Sequence, residues 1–163
     1  MKTLMKYFII VVFLIAIFAP FNSLGAKSNF YTGSTLTPEE TEFLNTAYRD
    51  ESKCQYFFKK VMEKFPDAGF AKIMNSEQNH ISTLESVYNK YEIALPTNLD
   101  FSTITIPSSV DEACSMGLKF EQDNVEMYKN FLKNVTNTFL KTVFEDLRDI
   151  TTYRNIPAVE KCK

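Results

Sequence analysis

The chain has 163 residues, with 18 basic and 20 acidic side chains, one histidine and no tryptophan. A formal charge of −2 without a basic run excludes an electrostatic nucleic-acid binder. Four glycines beside 15 Phe and 8 Tyr argue against a turn-rich β protein. The single histidine falls on a core helix face with carboxylates, which leaves none for a Ser-His-Asp set, and there is no Gly-rich phosphate loop and no Cys-x-x-Cys pair.

Lys2 and Lys6 precede an apolar run over residues 8–19, closed by Pro20, and Ser23-Leu24-Gly25-Ala26 offers small residues for signal-peptidase cleavage. Residues 1–26 are therefore expected to be a signal peptide that exports the protein, with an uncleaved signal anchor as the alternative. The run is short for a transmembrane helix and no second one follows, so no stable membrane span is expected after cleavage. No cysteine lies near the cleavage site to carry a lipid. Residues 27–36 read as a linker, and residues 37–163 as one domain with 16 basic against 20 acidic side chains once Lys2 and Lys6 are gone.

Thr37-Pro38-Glu39-Glu40 is a capping box with proline at the first helical position. Leu44, Ala47/Tyr48, Glu51, Cys54, Phe58, Val61/Met62 and Phe65 then recur at helical spacing. Pro66 is expected to end this helix and Asp67 to cap the next. The second stripe is Phe70, Ile73, Glu77, His80/Ile81, Leu84, Val87/Tyr88 and Tyr91. Residues 92–108 carry Pro96 and Pro107, have no helical period and are long for a connection inside a bundle. Fully extended they reach about 55 Å, against about 38 Å for a helix of about 25 residues, so they are expected to run the height of a bundle.

Ser109 and Glu112 form a second capping pair before Val110, Ala113/Cys114, Gly117, Phe120/Glu121, Asn124, Tyr128 and Phe131/Leu132. Residues 134–137 supply a turn, which includes the glycosylation sequon Asn134-Val135-Thr136. The last stripe is Leu140, Val143/Phe144, Leu147, Ile150/Thr151 and Arg154, with Pro157 expected to kink or end it. The expected fold is all-α: an antiparallel four-helix bundle with a long connector between the second and third helices.

Glu51, Glu77, His80 and Glu121 interrupt the apolar stripes close to the midpoint of their helices. Ionised carboxylates on a core face are costly unless compensated. Glu-x-x-His together with single glutamates on facing helices is how ferritin-like bundles compensate them, with iron or manganese. The sequence resembles a ferritin-like family of unknown function found in bacteria and archaea. The likeness runs through Leu36-Thr37-Pro38-Glu39-Glu40, Arg49-Asp50-Glu51-Ser52-Lys53 and Ser76-Glu77-Gln78-Asn79-His80, then through Gly117, Glu121 and Val143-Phe144-Glu145-Asp146-Leu147. Glu121 with Tyr128 is similar to the Glu-x6-Tyr spacing of such proteins, whereas Phe58 stands at the corresponding place after Glu51.

The resemblance implies a ferritin-like bundle and a second histidine near Arg154, with Thr151 where a glutamate could stand. Arginine has no acceptor atom and a permanent charge, so it cannot ligate a metal. The second half-site is therefore expected to be degenerate, leaving a single divalent Fe, Mn or Zn on Glu51, Glu77, His80 and Glu121. Arg154, Thr151 and Tyr128 would modify that site, with Arg154 expected to point into the carboxylate cluster and pair with Glu121 or Glu51. The bland alternatives remain beside this reading: His80 as a satisfied core histidine, Glu121 paired with Arg154, and the tyrosines as packing.

Two functions follow. One is an exported metal-binding protein, whose catalytic form would be a metal-dependent oxidoreductase. The other is a non-catalytic interaction module in which Arg154 replaces the metal, its partner another protein or a second copy of the chain.

Of the three cysteines, Cys114 precedes Glu121 by seven residues and Cys162 follows Arg154 by eight, about 10 and 12 Å along opposed helices. Both should reach one end of the bundle and form a disulfide in an oxidising compartment. Cys54 is expected to stay a free, buried thiol.

Overall fold

The structure, a computed structural model, describes residues 35–162. The expected signal peptide and most of the expected linker lie outside the described residues. No described helix is long and apolar enough to cross a membrane. Helices α1 (Pro38–Lys64), α2 (Ala71–Tyr91), α3 (Val110–Phe131) and α4 (Thr138–Ile150) carry the fold. A π turn (Thr151–Asn155) and a short helix α5 (Ile156–Val159) continue α4, and no strand occurs among the described residues.

The helix starts show local chemistry at work. Thr37 Oγ1 accepts from the Glu40 amide at 3.1 Å, and Glu40 Oε2 accepts from the Thr37 amide at 2.9 Å, completing the capping box. Ser109 caps α3 by accepting from the Glu112 amide at 3.2 Å. Glu112 answers not to Ser109 but to Ser108, whose amide and hydroxyl donate to it at 2.7 and 2.9 Å. Asp67 does not cap α2. Phe70 occupies that position in helical conformation without a side-chain cap, after Gly69 turns the chain at φ +79°. Phe70 is instead buried as an anchor of the core.

Side-chain pairings fix the helix directions. Asn45–Tyr88, Tyr48–Glu85 and Gln55–Gln78 descend on α2 as they rise on α1, so these helices run oppositely. Phe43–Phe131, Glu51–Tyr128 and Phe58–Gly117 do the same for α1 and α3. Tyr128–Phe144 and Glu121–Asn155 do so for α3 and the α4 segment. The connector runs along α1. Leu99 and Phe101 share a cleft with Arg49 and Lys53, Phe101 stacks on Tyr56 at 4.7 Å, and Lys64 Nζ donates to the Pro107 carbonyl at 2.6 Å.

The core is divided. Leu44, Tyr48, Leu84, Tyr88, Tyr128, Leu140, Phe144 and Leu147 belong to one apolar cluster, while Phe57, Phe58, Val61, Phe70, Ile73, Ala113 and Val159 belong to a second. Among the buried side chains that join neither cluster, Glu51, Cys54, Glu77, His80, Glu121, Asn124, Thr151 and Asn155 come from the stretches of their elements between the two. The end of the fold near Phe58 is held close by Gly117, where a Cβ would stand 2.9 Å from the Phe58 ring. Cys114 and Cys162 stand at disulfide distance there, with Cα atoms 6.0 Å apart, while Cys54 is free and buried.

Candidate metal centre

Helical spacing delivers the site's side chains. Glu77 and His80 are three residues apart on one face of α2, and Glu51 and Glu121 project from α1 and α3 between the two apolar clusters. All four are essentially without solvent contact, at 0–1% exposure. Glu51, Glu77 and His80 each offer a ligand atom within 4.8 Å of the others and could together hold a metal ion. Glu121 is in the same layer but outside that compact trio.

The hydrogen bonds are specific. Tyr128 OH donates to Glu51 Oε1 at 2.6 Å, and His80 Nδ1 lies 3.2 Å from Glu51 Oε2. The same Nδ1 is 3.7 Å from Glu77 Oε1, while Nε2 is 3.5 Å from Ser76 Oγ. His80 thus turns Nδ1 toward the carboxylates and Nε2 toward a hydroxyl, the division of labour of a ligating histidine oriented through its other nitrogen.

The fourth element departs from expectation. Arg154 is exposed and forms no ion pair with Glu51 or Glu121 among the described residues. Asn155 reaches the layer instead, its Nδ2 donating to Glu77 Oε1 at 2.8 Å and to Glu121 Oε2 at 3.3 Å. The π turn explains the exchange. With 3.6 residues per turn, two turns from Leu147 end near residue 154; one inserted residue moves the inward position to 155. Val159, four residues on, is buried in register with Asn155. Asn155 was missed by sequence reasoning because no residue pattern announces a π insertion; its only trace was a spacing of four from Thr151.

Three carboxylates share this layer without a buried lysine or arginine among the described residues. Burial pushes Glu51 up, but the facing His80 and hydrogen bonds from His80, Glu77 and Tyr128 outweigh it and hold Glu51 at about 2. Glu77 is driven well above the usual range, first by burial and then by the charges of Glu51 and Glu121. Glu121 rises to about 8 by burial and the charge of Glu51, against the hydrogen bond from Asn155. The layer does not hold three ionised carboxylates by itself.

Several buried atoms have no hydrogen-bond donor or acceptor opposite them among the described residues: Glu77 Oε2, Glu121 Oε1, both amide atoms of Asn124, and Thr151 Oγ1, although the Glu77 carboxyl itself hydrogen-bonds the carboxyls of Glu51 and Glu121. Two carboxylates and an imidazole with ligand atoms within 4.8 Å of one another, beside carboxylate oxygens that no donor reaches, are a donor set that fits a divalent transition ion. A dication would also offset the burial and like-charge penalties that raise Glu77 and Glu121. Thr151 is buried at the start of the π turn, four residues before Asn155. Tyr128 is more than packing, since it orients Glu51. Comparison with family models, curated proteins and solved structures finds no match to this chain.

Proposed function

We propose that this chain is an exported protein whose ferritin-like, antiparallel four-helix bundle binds one divalent transition metal, Fe, Mn or Zn, on Glu51, Glu77, His80 and Glu121. The observation that carries the reading is the buried carboxylate–histidine layer, with unpartnered oxygens on Glu77 and Glu121 and no buried lysine or arginine among the described residues. The opposed helix pairs and the connector lying along α1 support a bundle of the ferritin-like kind. The Cys114–Cys162 pair supports an oxidising compartment.

Each residue has a task in this reading. Tyr128 fixes one oxygen of Glu51, leaving the other toward the His80 ring. Ser76 holds the far nitrogen of that ring. Asn155 orients Glu77 and Glu121 through one amide nitrogen. The two apolar clusters exclude water from both sides, which strengthens every electrostatic contact between them. A bound Fe or Mn would supply redox chemistry here, and oxidoreductase activity is the catalytic form of this proposal.

A second reading has one observation in its favour. Glu51 with His80, and Asn155 across Glu77 and Glu121, tie the layer together by hydrogen bonds without a cation. That would suit a metal-free interaction module, built on Asn155 rather than on the exposed Arg154. Elemental analysis of protein from its native compartment, with Glu77→Ala as control, separates the two. Near-stoichiometric Fe, Mn or Zn, lost in the variant, is expected. At a hundredfold excess over Kd the ion should stabilise wild type by about 2.7 kcal/mol. Metal-free protein, with a melting temperature unmoved by all three ions, refutes metal binding.

A further inference from the structure

A cleft of about 590 Å³ opens between the start of α2 and the C-terminal segment, and Lys72, Arg154, Lys161 and Tyr153 line it. A second hollow of about 310 Å³ shares Lys72 and Arg154 with it and extends to Ser76 and Asn155. The chain is net acidic, yet three cations converge here against one lining acid, Asp67. The chain has three arginines, of which Arg49 and Arg148 pair with carboxylates. Arg154 faces the cleft with no such partner among the described residues. The first turn of α2 adds no acidic residue and has no side-chain cap, so it leaves the local field positive. Tyr153, 74% exposed, is one of three exposed large apolar side chains among the described residues, and it lines the cleft.

We propose that this cleft binds a small organic phosphate, its charged end between Lys72 and Arg154 and its body against Tyr153. The chemistry is that of the lining. A guanidinium and an ammonium satisfy a phosphate dianion by charge-assisted hydrogen bonds, Lys161 adds to the field, and an exposed phenol ring offers a face to an apolar or planar group. The volume suits a small molecule rather than a polymer. The phosphate would sit on the solvent side of Ser76 and Asn155, the residues that touch His80, Glu77 and Glu121 from within. The site does not depend on a metal.

The test uses metal-free full chain, its disulfide intact, titrated with inorganic phosphate, phenyl phosphate and benzoate while amide NMR shifts are followed. Saturable shifts confined to Lys72, Ser76, residues 153–155 and Lys161 are expected. Phenyl phosphate should bind more tightly than inorganic phosphate, and benzoate, with less charge, more weakly. Lys72→Glu and Arg154→Glu should each weaken phenyl phosphate by about tenfold or more, since each removes a charge-assisted contact. Tyr153→Ala should erase the advantage of the phenyl ring, and Lys141→Glu on α4 should change nothing. Shifts that never saturate, or that survive Arg154→Glu at unchanged affinity, overturn the proposal. Both altered cations are exposed, so circular dichroism should show wild-type helix content.

Discussion

Glu40 offers a quantitative test of how the start of α1 is tied to the α3–α4 turn. Its Oε2 takes the Thr37 amide, while its Oε1 accepts the Thr136 amide at 2.9 Å, the Thr136 hydroxyl at 3.0 Å and the Asn137 amide at 2.7 Å. Burial acts to raise the carboxyl, but backbone donors from Thr37, Asn137 and Thr136 reverse the sign and lower it from 4.5 to about 2. At about 1.4 kcal/mol for each tenfold change in proton affinity, this shift corresponds to about 3 kcal/mol of stability. The folded state binds the proton more weakly than the unfolded chain. The contribution is therefore complete above about pH 4.5 and is lost as pH falls toward 2. Glu40→Gln keeps the shape and one acceptor but removes the charge and places a donor against the Thr37 amide. Urea unfolding under non-reducing conditions should show a deficit of about 3 kcal/mol at pH 7, shrinking steadily between pH 4.5 and pH 2. A variant as stable as wild type at pH 7 would refute the reasoning. So would a deficit of constant size down to pH 2.5, which would mean lost packing rather than lost charge.

Glu77→Gln should stabilise the metal-free protein. Burial and the charges of Glu51 and Glu121 raise the folded Glu77 carboxyl above the ordinary 4.5, so its penalty grows as pH rises above that value; the gain should appear at pH 8 in thermal scans and vanish near pH 4, and the same variant should lose its stabilisation by metal. Gly117→Ala trades a helix-propensity gain of about 1 kcal/mol against overpacking of about 1–3 kcal/mol, because Phe58 is fully buried and cannot yield at 2.9 Å. A net loss in urea midpoint is expected, and a gain would show the ring to be mobile. Reducing Cys114–Cys162, separated by 48 residues, should lower stability by about 2–4 kcal/mol, read as a melting shift with and without reductant. Arg154→Leu should change stability by less than about 0.5 kcal/mol, as for an exposed side chain; a larger loss in the metal-free protein would put Arg154 back in the carboxylate layer.

Periodicity and punctuation carried the helices. Thr37-Pro38-Glu39-Glu40 and Ser109 with Glu112 start helices through contacts only a few residues apart, so local sequence holds all the information needed. The same applies to the inward-facing glutamates. An acidic residue at an apolar position of a 3.6-residue repeat is buried wherever the helix packs, and Glu51, Glu77, His80 and Glu121 were legible for that reason. The pairing of Cys114 with Cys162 followed from helix rise and direction alone. Other features depend on contacts between distant segments. Asp67 has cap chemistry, but the burial of Phe70 sets how α2 begins. Glu40 has the spacing of a cap residue, and only the folded chain brings Thr136 and Asn137 to its other oxygen. The exchange of Arg154 for Asn155 is the clearest case. A π turn differs from an α turn by one residue of register, a small local difference that leaves no mark in composition or period. Tertiary packing selects it here, because it buries an amide that bridges Glu77 and Glu121 and leaves a guanidinium in water.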